Sequence, residues 1–144
     1  MIEQDTIRLL RECDAGVKMG IDSIEDVYEK VESDIFKAYL ENCKIGHERL
    51  DKEIQSLLDC YDDEGKEPNP VAKGMSWMKT NAKLMMDCSD GTIADLMTDG
   101  CNMGVKSLSR YLNEYKAADE QSKDIAKRLI SLEERLAVDI RPYL

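Results

Sequence analysis

The residues of this chain best suited to metal or thiol chemistry are its single histidine and its five cysteines. His47 follows Cys43 by four residues, so on a helix their side chains lie on the same face, one turn apart. Imidazole nitrogen and thiolate sulfur are ligands that Zn²⁺ and other soft or borderline ions prefer. The pair therefore indicates either half of a metal site or two side chains buried in a helical core.

A metal ion would need further ligands, and we expect them to come from other helices. A chain reversal near Ser33 would bring residues 14–17 alongside residues 47–50, and Cys101 is expected to face the same core from a later helix. The candidate metal ligands are Cys43, His47, Asp14 and Cys101. Zinc or another soft metal is the ion that such a set would suit.

We favour an interpretation without a bound metal or cofactor, because a Cys and a His four residues apart are common in helices by chance. Cys43 then packs as a small apolar side chain, and neutral His47 donates one hydrogen bond to a partner such as Asp14. The alternative environment for Asp14 is a rim position, paired with a Lys or Arg.

No arrangement in the sequence predicts a catalytic residue. Serine and threonine are not placed near a histidine-plus-acid pair, and no glycine-rich phosphate loop is present. The cysteines are widely spaced without a C-x-x-C pair, so we expect reduced, mostly buried thiols. An enzyme is the less favoured class, with an oxidoreductase holding an organic cofactor in its core as the remaining enzyme hypothesis.

Composition narrows the choice of partners. Twenty Lys and Arg against thirty Asp and Glu give a net charge of −10, which repels phosphate backbones and anionic lipid headgroups. We expect neither nucleic acid nor membrane as a partner. Residues 1–5 carry no basic region, no apolar run follows, and no apolar stretch of about 18 residues occurs, so we expect a cytoplasmic protein.

Apolar side chains recur at three- and four-residue intervals, the period of amphipathic helices. The predicted helices cover about residues 3–31, 34–63, 70–87, 92–116 and 120–141. The inner face of the first predicted helix consists of Ile7, Leu10, Asp14, Val17, Ile21, Ile24, Tyr28 and Val31. That of the second consists of Phe36, Leu40, Cys43, His47, Leu50, Ile54, Leu57 and Tyr61, and that of the last of Ile125, Leu129, Leu132, Leu136 and Ile140.

Capping and breaking residues mark the boundaries of these helices. Ser33 is the expected N-cap of the second helix, and the "GKEPNP" segment at 65–70 is the clearest break. Thr92 is expected to cap the following long helix, with Asp95 in a capping-box position. The turn before the last helix, at 117–121, carries no Gly or Pro.

This order of elements predicts an all-α, up-down four-helix bundle that occupies residues 1–144 as one domain. Two helices joined by a tight turn precede a long crossover with an extra short helix, and two more helices joined by a tight turn follow. The alternative is one continuous rod from the first two helices in a dimeric coiled coil. It is disfavoured because the apolar pattern slips between Val31 and Phe36.

With this helix order the chain resembles the ferritin-like superfamily, and is similar to small uncharacterised bacterial families that lack the di-iron ligands. The resemblance covers essentially the whole chain. It rests on the helix order, on the crossover segment "VAKGMSWMKTNAKLMMD" with Trp77, and on the spacing of aromatic residues in "SRYLNEY".

Active ferritin-like proteins hold two metal ions with one Glu from each of two helices and a Glu-x-x-His motif from each of the other two. Here Lys44 stands three residues before His47, and Leu136 stands three residues after Glu133. The other candidate pair, Glu134 with Ala137, lacks the histidine as well. The resemblance therefore implies the fold without ferroxidase or oxygenase chemistry.

We expect a structural or interaction module that forms a homodimer or a larger homo-oligomer. The alternative function is a metal-binding or thiol-based stress protein that uses the Cys43, His47, Asp14 and Cys101 side chains in the bundle core.

Overall fold

Four α-helices make up most of the part of the chain that the computed structural model describes, residues 3–68 and 87–144. They are α1 (Gln4–Tyr28), α2 (Asp34–Cys60), α3 (Asp90–Glu114) and α4 (Glu120–Asp139), and a 3₁₀ helix follows at Arg141–Tyr143. These residues include no β-strand, so the all-α prediction is confirmed for them. The first and last residues of each of these four helices lie within three residues of the predicted ones. The helix predicted at about 70–87, with Trp77, lies outside the described residues. None of the described helices has the length and apolar character that a membrane span requires.

The turn between α1 and α2 is tight. Helix α1 ends at Tyr28 because the N–H groups of Lys30 and Val31 donate to carbonyl oxygens three residues back, which closes a tighter turn. Val31 is nevertheless buried. Ser33 caps α2 as predicted, since its hydroxyl accepts a hydrogen bond from the N–H of Phe36 at 3.2 Å.

Helix α3 begins earlier than expected, and the prediction that Thr92 caps it is wrong. The cap is Ser89, whose hydroxyl accepts a hydrogen bond from the N–H of Thr92 at 3.3 Å. A cap side chain satisfies a free N–H two or three residues ahead, so the residue that fits here is Ser89. The hydroxyl of Thr92 donates instead to Asp87 at 2.7 Å. Asp119 caps α4 in the same manner.

The helices pack around an interior that contains two apolar clusters. Helix α1 lies along α2, α3 lies along α4, α4 also contacts both α1 and α2, and α1 contacts α3. The first core cluster contains Ile24, Val27, Val31, Phe36, Leu40, Cys43, Ile93, Ala94, Met97, Cys101, Leu136 and Ile140. The second core cluster contains Leu9, Leu10, Cys13, Val17, Leu50, Ile54, Leu58, Leu108, Ala118, Ile125, Ala126 and Leu129.

The predicted inner faces agree with these clusters except at their edges. Ile7, Ile21 and Tyr28 of α1 are only half-buried, and near the end of α2 the buried residue is Leu58 rather than Leu57. A strict three-four spacing drifts slowly around a helix of 3.6 residues per turn. This drift accounts for the half-buried residues near the ends of the stripes but not for Ile21, which lies in the middle of its stripe.

Polar contacts at the two ends of the bundle fix the direction of each helix. The Asp90 carboxylate, at the start of α3, accepts hydrogen bonds from the N–H groups of Glu32 and Ser33 at 2.8 and 3.0 Å. At the other end, the N–H of Asp119 donates to the hydroxyl of Thr6 at 2.9 Å. Helices α1 and α4 therefore run in one direction and α2 and α3 in the other, so the last residue of α2 and the first residue of α3 lie at opposite ends of the bundle.

The chain that leaves α2 is tied to α1 by the buried carboxylate of Asp14. Its Oδ1 accepts a hydrogen bond from the Gln55 amide at 2.7 Å. Its Oδ2 accepts from the backbone N–H of Lys66 at 2.9 Å and from the Lys18 ammonium at 3.1 Å. Gly65 makes this approach feasible, since its φ is +80° and a Cβ atom there would collide with Asp14 Oδ2.

Replacing Gly65 by Ala is expected to lower the free energy of unfolding by about 1–3 kcal/mol, because the left-handed backbone is strained for alanine and the methyl group displaces Asp14. Gly100→Ala is the matched control, since no heavy atom lies within 4 Å of a Cβ placed there. It should be neutral or stabilising by up to about 1 kcal/mol. Urea denaturation followed by circular dichroism measures both variants. Equal effects at the two positions would contradict the proposed contact.

Candidate functional site

His47 lies in the interior of the bundle, at the level where the two core clusters meet. On α2 it stands between Cys43 of the first cluster and Leu50 of the second, and its side chain has no exposed surface. Helix α1 passes this point at Gly20, where a Cβ atom would lie 2.6 Å from His47 Nε2. The missing side chain of Gly20 therefore provides the space that the imidazole occupies.

Both ring nitrogens of His47 face oxygen atoms of the protein. Nδ1 lies 2.8 Å from the carbonyl oxygen of Cys43, and Nε2 lies 2.8 Å from Oε1 of Glu133 on α4. A carbonyl oxygen only accepts hydrogen bonds, so Nδ1 carries a proton and donates it. Nε2 then donates to the Glu133 carboxylate when the imidazole is charged.

The charge state of His47 follows from a competition between burial and hydrogen bonding. Burial alone would lower the pKa of His47, because the imidazolium ion loses its hydration. The Cys43 side chain, whose Sγ lies 3.6 Å from Nδ1, and the Glu133 carboxylate outweigh burial and raise the pKa of His47 from 6.5 to about 10. At neutral pH the pair is an imidazolium ion bound to a carboxylate.

Two thiols complete a group that we call the core polar cluster: Cys43, His47, Cys101 and Glu133. Burial raises the pKa of the Cys101 thiol, and the charge of Glu133 and a hydrogen bond to it raise the pKa further. Cys101 on α3 is therefore a protonated thiol at neutral pH and lies near this carboxylate. The Sγ of Cys43 lies 3.6 Å from Nδ1 of His47, which is also bound to the Cys43 carbonyl.

Three of the four candidate ligands from the sequence belong to this cluster, but Asp14 does not. The prediction that Asp14 lies alongside His47 is wrong: Asp14 contacts Gln55, two turns further along α2, and the residue of α1 opposite His47 is Gly20. The pairing of α1 with α2 is thus displaced from the predicted one. The proposed hydrogen bond from His47 to Asp14 is replaced by the one to Glu133.

Asp14 also differs from its alternative expectation of a rim position. It does pair with a lysine, Lys18, at 3.1 Å, but the Asp14 side chain is completely buried. Its partners on three sides are Gln55, Lys18 and the N–H of Lys66. Asp14 therefore anchors the chain after α2 and is not part of the core polar cluster.

Glu133 is the site residue that the sequence interpretation missed as a partner of His47. A signal for it exists: Glu133 lies four residues after Leu129 and three before Leu136, and both of these are buried on α4. This spacing places the carboxylate on the edge of the inner face. The helix also presents a second acid, the adjacent Glu134, which is exposed, so residue type alone did not distinguish the two.

The part of the chain that the structure describes contains no group of three or more His, Cys, Asp or Glu side chains arranged to hold a metal ion. Within the core polar cluster, Cys43 and Glu133 contact opposite nitrogens of the same imidazole ring. A metal ion that binds either ring nitrogen would therefore have to displace the contact that this nitrogen makes with Cys43 or Glu133. Chemically, the cluster holds a proton between His47 and Glu133 in a site that has little access to water.

Comparison with known proteins adds no family assignment. No protein-family model, no curated protein and no solved structure matches this chain.

The buried ion pair predicts a specific pH dependence of stability. Because the pKa of His47 is raised on folding from 6.5 to about 10, its contribution is complete below pH 6.5 and is lost as the pH rises through about 10. We expect the difference in unfolding free energy between the wild type and His47→Gln to shrink over this interval, by at most about 1.4 kcal/mol per pH unit. Urea denaturation at a series of pH values measures it. A difference that stays constant with pH would contradict a charged His47.

Single and double replacements of His47 and Glu133 measure how much of the stability depends on the interaction between these two side chains. We expect His47→Leu and Glu133→Leu each to lower the free energy of unfolding by about 2–5 kcal/mol, because each leaves a buried polar or charged group without its partner. The double variant should lose clearly less than the sum of the two, since leucines restore apolar contact between the core clusters. Glu134→Leu, at an exposed position, is the control and should change stability by about 0.5 kcal/mol or less. Additive losses in the double variant would show that the two side chains act independently.

Proposed function

We propose that this protein is a ferritin-like four-helix bundle without a di-metal centre, which acts as a structural or interaction module and assembles as a homodimer or larger homo-oligomer. The observation that carries the proposal is the occupation of both His47 nitrogens by protein oxygen atoms at 2.8 Å. The histidine that would hold a metal ion in this fold serves here as a link between α2 and α4.

The ferritin-like assignment is supported by the order and direction of the helices. Helices α1 and α4 run one way and α2 and α3 the other, as the contacts of Asp90 and Asp119 indicate. This arrangement requires one long connection between α2 and α3, which is the feature that sets ferritin-like bundles apart from bundles with short loops only.

The loss of the metal centre is supported by the side chains that surround His47. A di-metal site of this fold takes carboxylates from all four helices and imidazoles from two. At the level of His47, α1 supplies Gly20, and α3 supplies Cys101 and Gly104, both near Glu133. Glu133 is thus the one carboxylate of the cluster, too few to balance two divalent ions.

The alternative function, a metal-binding or thiol-based stress protein, keeps one supporting observation: Cys43, His47 and Cys101 lie in the same cluster. Two observations oppose it. Thiol chemistry requires thiolate, whereas the pKa of Cys101 is raised, and that of the buried Cys13 is raised to about 12 by burial and the nearby acids. Asp14, the fourth proposed ligand, is bound elsewhere.

Metal binding tests the proposal directly. The untagged protein, purified without chelator, should contain less than about a tenth of an equivalent of metal per chain, and excess Zn²⁺ or Fe²⁺ should leave its melting temperature unchanged, because an ion that bound the native state would raise it. The comparison variant is His47→Gln, which should behave identically toward metal. Stoichiometric metal in the wild type that is lost in His47→Gln would overturn the proposal in favour of the alternative.

A further inference from the structure

The seven residues 62–68, just after α2, lie on α1 without belonging to the core of the bundle. We call this segment the strap. None of its residues is a member of either core cluster, and Pro68 is the only one of them that is buried. Apolar contact therefore contributes less to the position of the strap than to the packing of the four helices.

Three ion pairs between partly exposed side chains join the strap to α1. They are Arg11 with Asp63 at 2.6 Å, Glu12 with Lys66 at 2.6 Å, and Lys18 with Glu67 at 2.9 Å. The first pair is bidentate, since a second hydrogen bond joins the same two side chains at 3.0 Å. The order of the partners shows that the strap runs in the same direction as α1. Because exposed ion pairs are weak individually, the strap depends on several of them at once.

The strap also covers two groups that it keeps from solvent. The N–H of Lys66 donates to the Asp14 carboxylate at 2.9 Å, and the Asp14 side chain is completely buried. A Cβ atom at Gly65 would lie 3.0 Å from Leu58 Cδ1, so the backbone of the strap also passes close to the edge of the second core cluster. Removal of the strap would expose a carboxylate and an apolar edge while most of the core stayed intact.

The strap begins at a strained residue. Asp62 has a φ of +56°, and it is the only residue other than glycine with a positive φ among the described residues. The N–H groups of Asp62 and Asp63 donate to the carbonyl oxygens of Asp59 and Leu58, which is the pattern of a Schellman motif. Glycine is the usual residue at this position, because a side chain is unfavourable in the left-handed region. The turn that directs the strap onto α1 is therefore a strained hinge.

We propose that the strap opens and closes on α1 as one unit, with Asp62 as its hinge, while the four helices stay folded. Opening breaks the three ion pairs and the hydrogen bond from Lys66 to Asp14 together, because these contacts lie within five consecutive residues of the chain. The strap thereby controls the access of solvent to the Asp14 carboxylate. Local opening of this kind is typical of segments held by exposed polar contacts and few apolar ones.

Hydrogen exchange of the folded full-length chain, followed by NMR, tests this opening. The Lys66 N–H reports on the strap, and the N–H groups of Ile54 in α2 and Leu129 in α4 report on the bundle. We expect the Lys66 N–H to exchange at least about a hundredfold faster than these two, and about tenfold to a thousandfold slower than in an unfolded chain. Urea below the unfolding transition should accelerate exchange of Ile54 and Leu129 and leave that of Lys66 within about twofold, since opening the strap exposes little surface.

Variants of the hinge and of the contacts should change the exchange of the Lys66 N–H in opposite directions. Asp62→Gly should slow it by about threefold, because glycine adopts the left-handed conformation without strain. Arg11→Gln should accelerate it by about threefold, since the bidentate pair with Asp63 is lost. Asp14→Asn should accelerate it by about tenfold, because the charged acceptor becomes a neutral one.

Arg128→Gln is the matched control for Arg11→Gln. Arg128 also makes a bidentate ion pair, with Glu53 at 2.7 and 2.8 Å, and this pair joins α4 to α2 away from the strap. The two arginine side chains are similarly exposed, at 44% and 48%. Arg128→Gln should therefore leave the exchange of the Lys66 N–H unchanged.

Three outcomes would overturn the proposed opening. A Lys66 N–H that exchanges as slowly as Ile54, with the same response to urea, would show that the strap opens only when the bundle unfolds. Exchange at the rate of an unfolded chain would show that the strap does not close on α1. Equal effects of Arg11→Gln and Arg128→Gln would show that the ion pairs do not hold the strap. This last comparison uses exposed positions only, so it remains decisive if Asp14→Asn fails to fold.

Discussion

The placement of one imidazole between two fixed oxygen atoms is the constraint on which the middle of this bundle depends. A buried imidazolium is stable only if both N–H groups are satisfied and its charge is balanced. The Cys43 carbonyl and the Glu133 carboxylate meet both conditions. The pair in turn fixes the relative position of α2 and α4, because a shift of either helix by a turn would separate its two members.

The neighbouring helices are adapted to the same pair. Helix α1 must pass His47 at a residue without a side chain, and this residue is Gly20. Helix α3 contributes the Cys101 thiol and approaches the far side of Glu133 closely at Gly104. The polar layer separates two apolar clusters that would otherwise be continuous. A buried polar group of this type selects one register among the many that apolar side chains alone would permit.

The ends of the bundle are organised by a different kind of contact. Carboxylates there bind free backbone N–H groups: Asp90 binds the α1–α2 turn at one end, and Asp5 accepts a hydrogen bond from the N–H of Ala117 at the other. Exposed single-contact ion pairs, such as that of Arg135 with Asp139 at 3.8 Å, add little individually. Helix direction is thus set by backbone-directed hydrogen bonds at the ends, while register is set by the His47–Glu133 pair at the centre.

The sequence by itself determined the four described helices, their approximate bounds and most of their inner faces, because apolar periodicity is a local property that packing seldom overrides in long helices. It also placed Cys43, His47 and Cys101 in the core and supplied the Ser33 cap. The sequence did not predict the contacts between residues that are distant from each other in the chain. His47 binds Glu133, which is 86 residues away, and Asp14 binds the backbone N–H of Lys66 in a glycine-containing turn, besides Lys18 and Gln55. Only the tertiary structure decided these contacts, because the relative displacement of two helices is fixed by which side chains fit between them and not by the periodicity of either one.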